Sequence, residues 1–112
     1  MNRDRQFLLD ILQSADLIQT YTDGYTRAQF IADIQAQDSV IRRLLIVAEA
    51  ARRLSPEMRD RLSEISWSEI NGMRNRLVHE YDDIDLDIVW AVVRAEIPDL
   101  IRAIAPHVPP ET

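Results

Sequence analysis

Between residues 40 and 51 the sequence leaves almost no polar stripe. Val40, Ile41, Leu44, Leu45, Ile46, Val47, Ala48, Ala50 and Ala51 spread round the circumference of a helix that the pattern predicts from somewhere near Asp33 to Gln37 as far as Leu54. A helix apolar that far round must be covered on two sides. A chain of 112 residues has material for one domain and one core. The rest of the bundle supplies one cover, and the natural second cover is another copy of the chain, so a homodimer is expected.

The flanking segments are patterned to supply the first cover. Phe7, Leu8, Ile11, Leu12, Ala15 and Ile18 recur at three- and four-residue steps, predicting a helix over about residues 4–20 that stops at Tyr21-Thr22-Asp23-Gly24. Thr26 with Gln29 forms a capping box for a short helix through Phe30 and Ile31. Ser55-Pro56 opens a short turn reaching Leu62, with a hydroxyl cap and proline at the first helical position. Ser66 with Glu69 is a second capping box, predicting a helix that runs on through Tyr81 with Trp67, Ile70, Met73, Leu77 and Val78 inward. Gly72 weakens that helix and suggests a close approach to a neighbouring one.

Asp82 to Asp87 combines a loop with acids suited to the next helix start. The seam Leu86, Val89, Trp90, Val93, Ile97, Leu100, Ile101 and Ile104 follows, with Pro98 expected to kink it. There is no strand pattern and no repeat. The expected fold is all-α, an up-and-down bundle of four to five helices over residues 1–105, with a loose Pro-rich tail over 106–112.

Composition excludes several functions. Without cysteine there is no disulfide framework and no thiolate metal site, and two histidines make a zinc site unexpected. Asp83, Asp85 and Asp87 imitate the opening of a calcium loop, but Ile88 stands where glycine is required and Arg94 where a carboxylate is required. No metal and no cofactor are therefore expected. No nucleophile elbow or phosphate loop is present. No apolar run approaches the roughly 20 residues of a membrane span, and a cytoplasmic protein is expected.

The net charge of −6 is unevenly distributed. Residues 1–41 carry six acids and three arginines, 42–76 five acids and eight arginines, and 77–112 eight acids and two arginines, giving −3, +3 and −6. The middle third is a basic island. All thirteen cations are arginine, whose planar fork suits bidentate binding of phosphate or carboxylate. Arg42 and Arg53, on the polar edge of the long helix around Glu49, are candidates for contact with RNA, although an ion-pair ladder along that edge explains them more simply.

The densest chemistry lies in Met73-Arg74-Asn75-Arg76-Leu77-Val78-His79-Glu80-Tyr81. Taken singly, His79 is a dipole partner in a last helical turn and Arg76 an ordinary surface partner of Glu80. On a continuous helix Asn75 and His79 share one face, while Arg74 stands about 140° round from His79. Arg74 must then wrap toward the histidine, or a two-fold axis must bring a second motif alongside; both place the site near a dimer interface. The group suits metal-free RNA cleavage. RNA brings its own 2′-hydroxyl nucleophile, so His79 would serve as acid and base, Arg74 would hold the phosphate oxygens, Asn75 would orient the imidazole or a phosphate oxygen, and Arg76 is a further candidate contact with RNA.

Arg74-Asn75-Arg76-Leu77-Val78-His79-Glu80-Tyr81 resembles the Arg-x4-His-x-Tyr signature of the HEPN superfamily, and in particular its HepT-like branch. The likeness extends to Tyr25 to Phe30, Ala48-Glu49-Ala50, Trp67 before Gly72-Met73, and Trp90 followed by Ile97-Pro98. It implies a ribonuclease toxin of a type II toxin–antitoxin pair, a helical homodimer with Arg74 and His79 catalytic and Asn75 in support. It also implies a minimal nucleotidyltransferase antitoxin as partner, able to AMPylate Tyr81 and so to place a bulky anion two residues from His79. Two rival readings stay open: a non-catalytic partner or substrate-binding subunit of a nucleotidyltransferase, and a dimerisation protein in which the motif is a helix-end salt-bridge network.

Overall fold

A computed structural model describes residues 3–78 and 83–108 of the chain. Its first helix, α1 (Asp4–Tyr21), buries Leu8, Ile11, Ala15 and Ile18, the steps that the apolar pattern predicts. Asp4 is also turned inward, only 4% exposed, and accepts hydrogen bonds from the Ser55 backbone N–H at 2.9 Å and from Ser55 Oγ at 2.5 Å. A buried carboxylate is tolerated only with such donors. The pairing fastens the start of α1 to Ser55, 51 positions along the chain.

At Gly24 the backbone turns with φ of 74°, a conformation that glycine adopts without strain. The Thr26–Gln29 capping box then forms in both halves, at 3.2 and 2.8 Å, and opens α2 (Arg27–Ala32). Asp33 ends α2 and caps α3 (Ile34–Arg53), accepting from the Ala36 N–H at 3.0 Å. The Tyr25 hydroxyl donates to the same carboxylate at 2.5 Å. That bond lowers the Asp33 pKa and raises that of Tyr25.

Helix α3 buries Ala36, Val40, Leu44, Val47, Ala50 and Ala51. Ile41, Leu45, Ile46 and Ala48 are only half-buried in a single chain, and Ile34 is 70% exposed. The long helix is thus covered fully on one side. Helix α1 lies along it and the last helix returns against α1.

Ser55 caps α4 (Pro56–Arg61), its hydroxyl accepting from the Met58 N–H at 3.2 Å. The expected motif helix is broken into two: α5 (Trp67–Asn71) and α6 (Met73–Leu77), with Gly72 between them. The Ser66–Glu69 capping box does not form. Ser66 has ψ of 78° where Thr26 has 166°, and the N–H groups of Glu69 and Ile70 reach its backbone carbonyl instead, at 3.1 and 3.2 Å. The Trp67 indole, donating to the carbonyls of Arg59 and Leu62, holds this entry in place. The close approach at Gly72 is to its own preceding turn and not to a neighbouring helix, because a Cβ there would lie 3.3 Å from the Ser68 carbonyl oxygen.

Asp85 caps α7 (Leu86–Ala91), accepting from the N–H groups of Asp87 and Ile88 at 3.1 Å each. A π segment (Val92–Glu96) then leads into α8 (Ile97–Ile104) and a 3₁₀ turn (Ala105–His107). Pro98 has no N–H to return to the Arg94 carbonyl, and the wider turn that contains Arg94 absorbs the mismatch. As a result Val92 and Val93 are both buried, where the helical seam included only Val93. Val108 is 6% exposed, so packing continues past Pro106, where the tail was expected to begin. Phe30 stacks on Trp90 with ring centroids 5.2 Å apart, locking α2 to α7.

Among the described residues there is no strand, and no helix is long and apolar enough to cross a membrane.

Candidate active site

Helix α6 is one turn and a half long, and its orientation follows from two side chains. Met73 and Leu77, four apart, are 2% and 0% exposed, so they fix the inward face. Arg74 and Asn75 are consequently exposed, on the solvent side of the element. The sequence expectation for these two residues needed that placement.

The helix ends before His79. The Val78 N–H still bonds the Arg74 carbonyl at 2.9 Å, but Val78 itself is extended, with φ of −110° and ψ of 124°. It pairs in an isolated antiparallel bridge with Ile84, and the Asp85 N–H reaches the Leu77 carbonyl at 2.8 Å. His79 and Tyr81 lie outside the described residues. The helical arithmetic that set Arg74 about 140° from His79 and put Asn75 on its face no longer applies, because the chain leaves helical geometry at Val78.

Arg76 points a different way. Its Nη1 and Nη2 donate to Oε1 and Oε2 of Glu96 at 3.0 and 2.7 Å, a fork-to-fork pair, and Glu69 stands 4.0 Å away. The Glu96 hydrogen bonds raise the Arg76 pKa, outweighing the opposing effect of burial. The guanidinium therefore ties the motif helix to the π segment of the last helix. Its expected partner Glu80 lies outside the described residues.

Arg42 is exposed on α3. Arg53 donates from Nε to Glu49 at 2.8 Å, and Arg52 donates to both oxygens of the same carboxylate at 2.7 and 2.9 Å. These bonds, Arg53 first, lower the Glu49 pKa. Glu49 thus joins Arg52 and Arg53, whereas the ladder expected from sequence joined Arg42 and Arg53.

The acids before the last helix have protein partners: Asp85 is the α7 cap and Asp87 pairs with Arg27. Among the described residues no group of three or more His, Cys, Asp or Glu is placed to hold a metal ion. Behind α6 a groove of about 340 Å³ has an apolar floor that includes Val47, Ile70, Met73 and Leu100 and a rim of Glu64, Glu69, Glu96 and Asp99. Among the described residues no arginine lines that groove, so it offers RNA no counter-charge. Arg74 and Asn75 stand on the solvent side of α6.

A family model described as Ribonuclease HepT-like matches residues 11–106, which include α6 and the segment up to Tyr81. The chain belongs to the HepT-like ribonuclease family. Its activity is accordingly that of a ribonuclease of the HEPN type. A candidate RNase of Caldanaerobacter subterraneus subsp. tengcongensis is 33% identical over 104 residues, covering 93% of both chains. A probable ribonuclease HepT of Thermococcus cleftensis is 32% identical over 96 residues, covering 86% of this chain and 87% of its own. A gamma-glutamylcyclotransferase and candidate RNase of Methanocaldococcus jannaschii is 39% identical over 101 residues; the match takes in 89% of this chain but only 46% of that protein. No solved structure matches the chain.

In this HepT-like chain sequence reasoning missed Glu96, twenty positions from Arg76, because no local spacing signals such a pair. It also missed the break at Leu77. The alternation Val78, Glu80, Asp82 before Ile84 carries too weak a strand signal to compete with the helical pattern.

Proposed function

We propose that this chain is the toxin of a type II toxin–antitoxin pair, a metal-independent endoribonuclease cutting RNA such as tRNA or mRNA. His79 is the acid and base, Arg74 holds the phosphate charge, and Asn75 orients the imidazole or a phosphate oxygen. The observation that carries the reading is the exposure of Arg74 and Asn75 on α6, immediately ahead of a chain reversal that begins at Val78, within a family of ribonucleases. In this reading the functional unit is a homodimer in which the same groups of a second copy complete the cleft. The half-buried Leu45 and Ile46 on α3 and the exposed Ile34 supply apolar surface for that contact.

The partner in this reading is a minimal nucleotidyltransferase antitoxin, which silences the toxin by binding, by AMPylating Tyr81, or both. An adenylyl phosphate at that position would compete with RNA for Arg74. A second reading, a non-catalytic partner subunit of a nucleotidyltransferase, draws on the acid-rimmed groove, which suits a protein better than RNA.

The test is digestion of total cellular RNA by unmodified wild type, His79→Ala and Arg74→Ala in the presence of EDTA, with analysis of product ends. The expected result is cutting by wild type that leaves cyclic phosphate, with losses of about 10² or more in each variant. Cutting abolished by EDTA, or retained in full by His79→Ala, would reject the mechanism.

A further inference from the structure

Away from the motif, three arginines from three parts of the chain surround one open pocket of about 560 Å³. Arg3 precedes α1, Arg53 ends α3 and Arg61 ends α4; Phe7 and Met58 also line the pocket. In a chain of net charge −6 this brings the far N-terminal Arg3 to two arginines of the basic middle third, Arg53 and Arg61. Two carboxylates share the lining. Asp4 is 4% exposed with both carboxylate oxygens held by Ser55, and Glu57 is exposed, so the pocket carries three guanidinia against two carboxylates. Arg53 uses Nε on Glu49, and the Arg3 guanidinium lies over the Phe7 ring, 5.8 Å from its centre, so that its turning to a phosphate would open that face to a base.

From this arrangement we infer that the pocket binds a nucleotide unit of single-stranded RNA, its phosphate among Arg3, Arg53 and Arg61 and its base against Phe7 and Met58. Guanidinium forks match phosphate oxygens, and bases of any identity stack on an aromatic face flanked by arginine. A pocket of this volume is of ligand size. It also has a suitable place relative to the motif. The motif helix α6 packs against α3, and the pocket lies at the Arg53 end of that same helix. The site thus extends the RNA-cleaving reading above, on which it rests, into a second point of attachment for the same strand.

The experiment is equilibrium binding of a short labelled single-stranded RNA to the full chain in a His79→Ala background, so that cleavage does not intervene, over a range of salt. Arg3→Gln with Arg61→Gln is expected to weaken binding at least tenfold at low salt and to reduce the slope of log K against log salt by about 0.7 for each phosphate that the variant no longer neutralises. Arg102→Gln, an exposed arginine paired with Asp99 on α8, removes a positive charge elsewhere and is expected to leave binding within about twofold. Phe7→Leu, with folding checked by thermal melting, is expected to cost about fivefold or more. AMP should displace the RNA far better than inorganic phosphate does; equal displacement would reduce the pocket to a simple anion site and overturn the nucleotide assignment. Unchanged affinity and slope in the double arginine variant would overturn the site altogether. These binding results stand whether or not wild type cuts RNA without metal, so failure of the cleavage mechanism and failure of this site are separately visible.

Discussion

The Arg76 guanidinium meets the Glu96 carboxylate end on, through two hydrogen bonds of 3.0 and 2.7 Å, and so ties the motif helix to the helix that closes the bundle. The side chains are 28% and 39% exposed, which screens the pair. Bidentate geometry puts it at the upper end of the usual surface range, about 1 kcal/mol. Arg76→Gln and Glu96→Gln are each expected to lower stability by that amount in urea unfolding. The double variant should be no worse than either single, since the two changes remove one interaction. Strictly additive losses would show that the pair contributes nothing.

Tyr25 and Asp33 predict the pH range over which α2 and α3 stay joined. Asp33 titrates below the ordinary aspartate range, chiefly because Tyr25 donates to it, so its contribution is present above the unfolded pKa and lost as pH falls through the folded one. Tyr25 titrates above the ordinary tyrosine value for the same reason, so its contribution is present below the unfolded pKa and lost as pH rises through the folded one. Stability from this contact therefore spans the interval between the two and fails at both ends. Melting temperatures of wild type and Tyr25→Phe measured across pH should differ most in mid-range and converge toward the acid and alkaline extremes. A constant difference across the whole range would contradict the assignment.

Gly72 predicts a small effect where helix propensity alone predicts a gain. Replacing glycine by alanine within an open helix is worth roughly 1 kcal/mol. Here the new methyl would press on the Ser68 carbonyl oxygen at 3.3 Å, and that oxygen already accepts the Gly72 N–H at 3.0 Å. Gly72→Ala is expected to change unfolding free energy by less than about 0.5 kcal/mol, because close contact offsets the propensity gain. A full kilocalorie of stabilisation by chemical denaturation would show that the turn relaxes freely.

Much of this architecture was legible because its signals are short. Leu8, Ile11, Ala15 and Ile18 declare α1 by their spacing, Thr26 and Gln29 form their box as expected, and Ser55-Pro56 starts α4 where a cap and a first-turn proline should. Arg74 and Asn75 could be placed outward because Met73 and Leu77 are four apart. Ser66 and Glu69 carry the same local signal as Thr26 and Gln29, yet Trp67, anchored on the carbonyls of Arg59 and Leu62, sets a different entry angle.

By itself the sequence determined the helical class, the inward face of each long helix and the exposed arginine of the motif, since those depend on residues within one or two turns of each other. Tertiary structure decided where the motif helix stops, which carboxylate takes Arg76, how the last helix passes Pro98, and that Arg3, Arg53 and Arg61 share a pocket. Those outcomes join residues up to fifty-eight positions apart, and only the packing of α3 and α8 against α1 and of α6 against α3 and α7 brings such groups within the few ångströms at which hydrogen bonds and charges act.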